Sequence, residues 1–288
     1  MTAPRKLVLP APAKLNLFLY VNGRRPDGYH ELQTLFCFLD HSDFITLEAR
    51  DDDKIEVSPE IEGVRTEDNL MYRAAMLLRE KTGTAKGASI SIRKILPMGG
   101  GLGGGSSDAA TVLRGLNIIW ETGLTVDELA VLGRQLGADV PVFVRGHSAF
   151  AEGVGEIFTE TNIKHGTAVV IVPDVHVSTK EIFSSPDLQR STPKRPFSEL
   201  RKMAWSNDCE KLVCSLYPEV DKCLSWLIKW GPSRMTGTGA CVFSVFDDAE
   251  RAEQVMRRMP AGWRSFAAPV LSVSPLIRSL ENQSGTAA

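Results

Sequence analysis

The sequence is short of several things at once. Five cysteines (Cys37, Cys209, Cys214, Cys223 and Cys241) are an odd number with no C-x-x-C pair among them, which fits neither a disulfide framework nor a zinc site. They read as small buried apolar side chains in a reducing compartment. No excess of positive charge exists either: 33 Lys and Arg against 35 Asp and Glu leave a formal charge of −2, which disfavours general nucleic-acid binding. No run approaches the roughly 18 consecutive apolar residues of a membrane span, and the first residues lead into prolines (Pro10, Pro12) rather than an apolar signal core. The expectation is a cytoplasmic protein with no membrane contact. No internal repeat is visible, and the five histidines (His30, His41, His147, His165, His176) show no spacing of a metal site.

What is present is an ordinary globular composition, with 43% hydrophobic and 24% charged residues over a length that suits two domains. From Lys14 to Val21 the residues alternate, placing Leu15, Leu17, Leu19 and Val21 on one strand face and Lys14, Asn16, Phe18 and Tyr20 on the other. A Pro-Asp-Gly turn (Gly23 to Gly28) then precedes a second strand-like run from Tyr29 to Leu39. Short strands follow at Phe44 to Ala49 and Lys54 to Val57. Next come a helix from Asn69 to Glu80 ending at Gly83 and a further strand between Ala88 and Ile95. Beyond about Phe158 the chain has its own strand (Thr167 to Val172), a polar loop (Ser184 to Pro196), a helix near Val220 to Lys229 and a glycine turn at Thr236 to Gly239. This divides the chain into residues 1–158 and 159–288, with Asn282 to Ala288 read as a frayed tail.

Six glycines between Gly99 and Gly105 stand directly before helix-spaced Ala109, Val112, Leu113, Leu116, Ile119 and Trp120. So much glycine is entropically costly, and a glycine loop opening into a helix offers bare N–H groups and the positive end of the helix dipole to an anion. The segment is not a P-loop, because Ser106-Ser107 follows Gly105 without the required Lys. Its match to the dinucleotide fingerprint is nearly unavoidable in such a run, and Glu121 ends a helix rather than a second strand, so a dehydrogenase is a poor reading. Thr125 to Glu128 forms a capping box for another helix, ended by Gly137, and Asp139 lies just past it. A carboxylate there could also be an exposed loop residue or the cap of the next element.

Pro97 to Ala110, P-M-G-G-G-L-G-G-G-S-S-D-A-A, resembles the ATP-phosphate motif of the kinase superfamily that includes galactokinase, homoserine kinase and mevalonate kinase. Pro12 to Leu17, Asp27 to His30, Gly137 to Phe143 and Met235 to Cys241 resemble, in that order, the branch whose substrate is a cytidine-diphospho sugar alcohol of the non-mevalonate isoprenoid pathway. The resemblance implies the two-domain α+β small-molecule kinase fold, ATP as phosphoryl donor, and transfer to the 2-hydroxyl of the sugar alcohol. It makes Lys14 and Asp139 the catalytic pair. It gives the nucleotide to Pro97, Met98, Gly99, Gly100, Gly101, Leu102, Gly103, Gly104, Gly105, Ser106 and Ser107. Asn16, Tyr29 and His30 become substrate residues, the last two at cytosine, with Phe183 as an opposite stacking face. Mg²⁺ follows from the chemistry of γ-phosphoryl transfer, but no ligand for it is readable and Asp108 has no assigned role. A valine at Gly103 is expected to fill the phosphate space and leave the fold intact. Two readings stay open beside this one: a sister kinase for another small alcohol, and a non-catalytic nucleotide-binding regulator. The sequence leaves a homodimer open as well.

Overall fold

A computed structural model describes residues 5–60 and 63–285. Strands β1 (Lys6–Arg24), β2 (His30–Arg50) and β3 (Ile55–Ser58) precede helix α1 (Leu70–Thr82) and strand β4 (Gly87–Arg93). Helices α2 (Gly104–Ile119), α3 (Val126–Leu136) and α4 (Val140–Arg145) follow, then strands β5 (Ala149–Glu152), β6 (Ile157–Glu160) and β7 (Thr167–Val172). The rest comprises helices α5 (Thr179–Ser184), α6 (Phe197–Leu200), α7 (Glu210–Leu216) and α8 (Pro218–Leu227), strands β8 (Ser233–Met235) and β9 (Val242–Phe246), helix α9 (Ala249–Arg257), strand β10 (Arg264–Leu271) and helix α10 (Pro275–Gly285).

The strands form one sheet in the order β3-β4-β2-β10-β7-β9-β8, with β1 and β5 also paired to β2. Its two halves meet at a short seam, where Val270 and Leu271 of β10 pair with Leu39 and Phe38 of β2. One apolar cluster packs α1, α2, α3 and α4 against the first half and includes Leu9, Leu47, Leu113 and Phe143. Another gathers α7, α8 and α9 on the second half around Val169, Ile171 and Leu227. Helix α10 crosses back, setting Leu276 and Leu280 into the first cluster. The tail expected from Asn282 is helical as far as Gly285, and residues 286–288 lie outside the described ones. Cys37 and Cys241 are buried among apolar neighbours, and burial pushes both thiols up to about 12, as inert core fillers require. Among the described residues no helix is long and apolar enough to cross a membrane.

Two expectations about strands need correcting. β2 is continuous through Asp40 to Asp43, where the sequence suggested a break. It continues because the Asp43 carboxylate is satisfied: Oδ1 accepts the backbone N–H groups of Ile95 and Leu96 at 2.5 and 2.7 Å. The alternation of β1 also does not run through to Val21. A register shift between Asn16 and Leu19 inserts one residue, so Leu19 and Val21 leave the face of Leu15 and Leu17 and join the cluster around Val169, Ile171 and Leu227. Leu19 then borders the same cleft as Lys14 and Asn16. Pro10 and Pro12 are tolerated inside β1 because, among the described residues, β2 is the one strand that β1 pairs with in the sheet, and at the prolines its other edge carries no ladder bond.

Candidate active site

A cleft of about 610 Å³ opens between the glycine segment, β1, β2 and the turn after β8. The segment between β4 and α2 is held from two sides. Lys14 N donates to Leu102 O at 2.9 Å, and Cys241 N donates to Gly100 O at 3.1 Å. Gly101 adopts φ +75°, and a Cβ there would stand 2.3 Å from Thr236 O, so glycine is needed where the two loops touch. The turn from Thr236 to Gly239 thus packs directly against the glycine loop. Helix α2 begins at Gly104, and Gly104, Gly105 and Ser106 line the cleft with the unpaired N–H end of a 16-residue helix.

Lys14 is the centre of the site. It is 3% exposed, and its ammonium has three oxygens around it: Asn16 Oδ1 at 2.5 Å, Gly101 O at 2.9 Å and Asp139 Oδ2 at 3.3 Å. Two of these contacts are hydrogen bonds and the third is an ion pair, so the buried charge has polar partners on three sides. Asn16 is fixed in turn. Its amide Nδ2 donates to Thr34 Oγ1 at 2.8 Å, and its backbone N–H donates to Thr236 Oγ1 at 3.0 Å. Thr236 Oγ1 also lies 3.3 Å from Gly101 O, tying the turn to the glycine loop.

Asp139 occupies the position before α4, but its side chain caps nothing. The carboxylate instead faces the cleft, 37% exposed, with one oxygen on Lys14. That arrangement sets the carboxylate beside a buried ammonium and leaves it open to a ligand hydroxyl.

A second charged group sits where α2 begins. Lys94 Nζ bridges Asp43 Oδ2 at 2.6 Å and Asp108 Oδ2 at 2.8 Å. One cation faces two nearly inaccessible carboxylates. Burial is the main cause, with the Asp43 charge adding to it, of an Asp108 carboxyl raised to about 7. Asp108 Oδ1 is buried without a partner. Sequence reasoning missed Lys94 and Asp43, since a lysine at a strand end reads as solvated. Their signal was the polar break in β2.

The expected residues divide as follows. Lys14, Asn16, Asp139, Phe183, Pro97, Met98, Gly99, Gly100, Gly101, Gly103, Gly104, Gly105 and Ser106 line one cleft. Leu102 turns into the apolar core, and Ser107 is buried in α2 with its Oγ unpartnered. The expectation for Gly103 is corrected in its reason: a Cβ there would meet the Phe143 ring at 2.7 Å and Lys14 Cε at 3.2 Å, not open phosphate space. Tyr29 and His30 lie outside the cleft lining. Tyr29 is 59% exposed at the turn, and His30 stacks on Phe183 with ring centroids 5.0 Å apart. Phe183 thus stacks on His30, and Arg190 Nε donates to His30 Nε2 at 3.0 Å, which leaves the ring neutral with its proton on Nδ1. Burial first, then the charges of Arg190 and Arg24, lower the His30 pKa. Arg190 belongs to the polar loop expected from Ser184 to Pro196.

The comparisons with known proteins fall in line with this geometry. The family model for the GHMP kinases N terminal domain matches residues 69–147, and that for the GHMP kinases C terminal matches residues 186–265. A 4-diphosphocytidyl-2-C-methyl-D-erythritol kinase of Mannheimia succiniciproducens is 55% identical over 94% of this chain and 90% of its own. The protein of the same name from Tolumonas auensis is 55% identical over 96% and 97%. Among solved structures, a 4-(cytidine 5'-diphospho)-2C-methyl-D-erythritol kinase superposes with a TM-score of 0.80 at 32% identity, over 92% of this chain and 99% of that one. A mevalonate kinase superposes with a TM-score of 0.67 at 15% identity, over 92% and 99%, a likeness of fold alone.

Proposed function

The chain belongs to the 4-diphosphocytidyl-2-C-methyl-D-erythritol kinase family of GHMP kinases, and from that premise we propose that it transfers the γ-phosphoryl group of ATP to the 2-hydroxyl of 4-diphosphocytidyl-2-C-methyl-D-erythritol. The observation that carries this reading is the contact of Lys14 with Asp139 across from the glycine loop, inside one cleft. Phosphoryl transfer through a loose transition state asks mainly for positioning and charge stabilisation. The first turn of α2 would hold phosphate oxygens on the N–H groups of Gly104, Gly105 and Ser106. Asp139 would accept, or orient, the proton of the attacking hydroxyl, and Lys14 would position that carboxylate and stand near the reacting oxygens. Asn16, locked by Thr34 and Thr236, would hold the Lys14 ammonium in register and offer its amide to the acceptor's side of the cleft.

Mg²⁺ would neutralise the triphosphate charge. Among the described residues no three His, Cys, Asp or Glu side chains assemble into a metal cage. Asp108 fits as a protein contact, because it lines the cleft and its Oδ1 is buried without a partner. The cytidylyl group is assigned to the region of Phe183, the His30 ring stacked on it, and Tyr29. For the domain boundary near residue 158, support comes from the first apolar cluster, which is drawn mostly from the first half, with α10 returning to it.

The test is ADP release from ATP and Mg²⁺ with a panel of acceptors. Turnover with the cytidylyl substrate and none with homoserine or mevalonate is expected. Turnover with a small acyclic alcohol alone would point to a sister kinase, and ATP binding without any turnover would point to a regulator. Both Lys14 and Asp139 being present and in contact counts against the regulator.

A further inference from the structure

A second cavity, of about 320 Å³, lies behind the cleft and shares none of its lining residues. Leu17 and Leu35 form part of its floor, on the face of β1 and β2 opposite to Asn16 and Thr34. Phe197 and Trp205 add aromatic walls.

The charges on this lining are one-sided. Lys164 is taken up by Asp247 at 2.6 Å, which leaves Arg201 and Arg234 as guanidiniums with no ion pair among the described residues. Arg234 spends one N–H on Leu17 O at 2.7 Å and lies over the rings of Trp205 and Phe243, 5.9 and 5.5 Å from their centroids. Arg201 lies over Phe197 at 5.8 Å. Burial pulls the Arg234 pKa below its ordinary value, only partly opposed by the nearby charge of Glu210. Guanidiniums paired with rings and still holding free donors are suited to carboxylate, sulfonate or phosphate groups.

We propose that this cavity is a ligand site for a small organic anion. Its apolar, ring-sized body would lie against Leu17, Leu35, Phe197 and Trp205, with its charged group on Arg234 and Arg201. The proposal stands independently of the phosphoryl-transfer reading.

The probe is 1-naphthyl phosphate, titrated calorimetrically into the full chain while a non-hydrolysable ATP analogue saturates the cleft. One-to-one binding is expected in the wild type, and Arg201→Gln, on an exposed side chain, should raise Kd about tenfold for the loss of one charge-assisted contact. ATP-dependent turnover without probe should be the same in both proteins. Arg234→Lys should weaken the probe as well, since the fork is lost while the charge stays. No binding by the wild type, equal affinity in wild type and Arg201→Gln, or loss of binding once the analogue is present would each overturn the proposal.

Discussion

The Lys14 ammonium lies 3.3 Å from the Asp139 carboxylate, with the lysine sealed in and the carboxylate 37% exposed to the cleft. A buried cation sits behind a reachable anion. Lys14→Met would keep the bulk of the side chain but strip Gly101 O and Asn16 Oδ1 of their donor. The cost should be about 1–3 kcal/mol of stability, with turnover reduced at least about 100-fold. Thermal melts and kcat, measured on the same preparation, check both halves.

Thr236 has its effect through the hydroxyl alone. Thr236→Val should leave the buried Asn16 N–H unsatisfied, at about 1–3 kcal/mol, and loosen the glycine loop at Gly101. Thr236→Ser should restore most of the loss. Equal melting temperatures for the valine and serine variants would contradict this role.

Asp108 makes a pH signature. Its folded value of about 7 lies above the ordinary 3.8, so the proton binds the folded state more tightly. The contribution is complete below pH 3.8 and is lost as pH rises through about 7. Asp108→Asn should therefore remove a fall in stability that the wild type shows between about pH 4 and 7. Denaturant midpoints across that range are the measurement.

Phe183→Ala should remove the ring stacked on His30. The Michaelis constant for the cytidylyl substrate should rise by a factor corresponding to about 1–3 kcal/mol, the range seen when a base-stacking ring is lost, while that for ATP stays close to wild type. A rise confined to ATP would move the cytosine end elsewhere.

Much of the site was legible because its signals are local. Glycine density marked the loop entering α2, alternation placed Lys14 and Asn16 on one face, and the match around Asp139 outweighed the reading of that residue as a cap. What escaped depends on distant chain. The bulge between Asn16 and Leu19 leaves no trace in the alternation, and β2 runs through its polar break because Asp43 bonds the N–H groups of Ile95 and Leu96. Lys94 looked solvated until Asp43 and Asp108 closed on it. Arg190 reaches His30 from a loop with no periodicity at all.

The most direct test is Asp139→Asn, which keeps the side chain's shape and removes its charge. Steady-state kinetics of ADP release should show kcat lowered by a factor on the order of 10²–10⁴, nearer the lower figure because a dissociative transfer needs less help from a base. Both Michaelis constants and the melting temperature should stay close to wild type, since the carboxylate caps no helix. Wild-type turnover in a folded Asp139→Asn protein, or a loss that follows unfolding, would contradict the account.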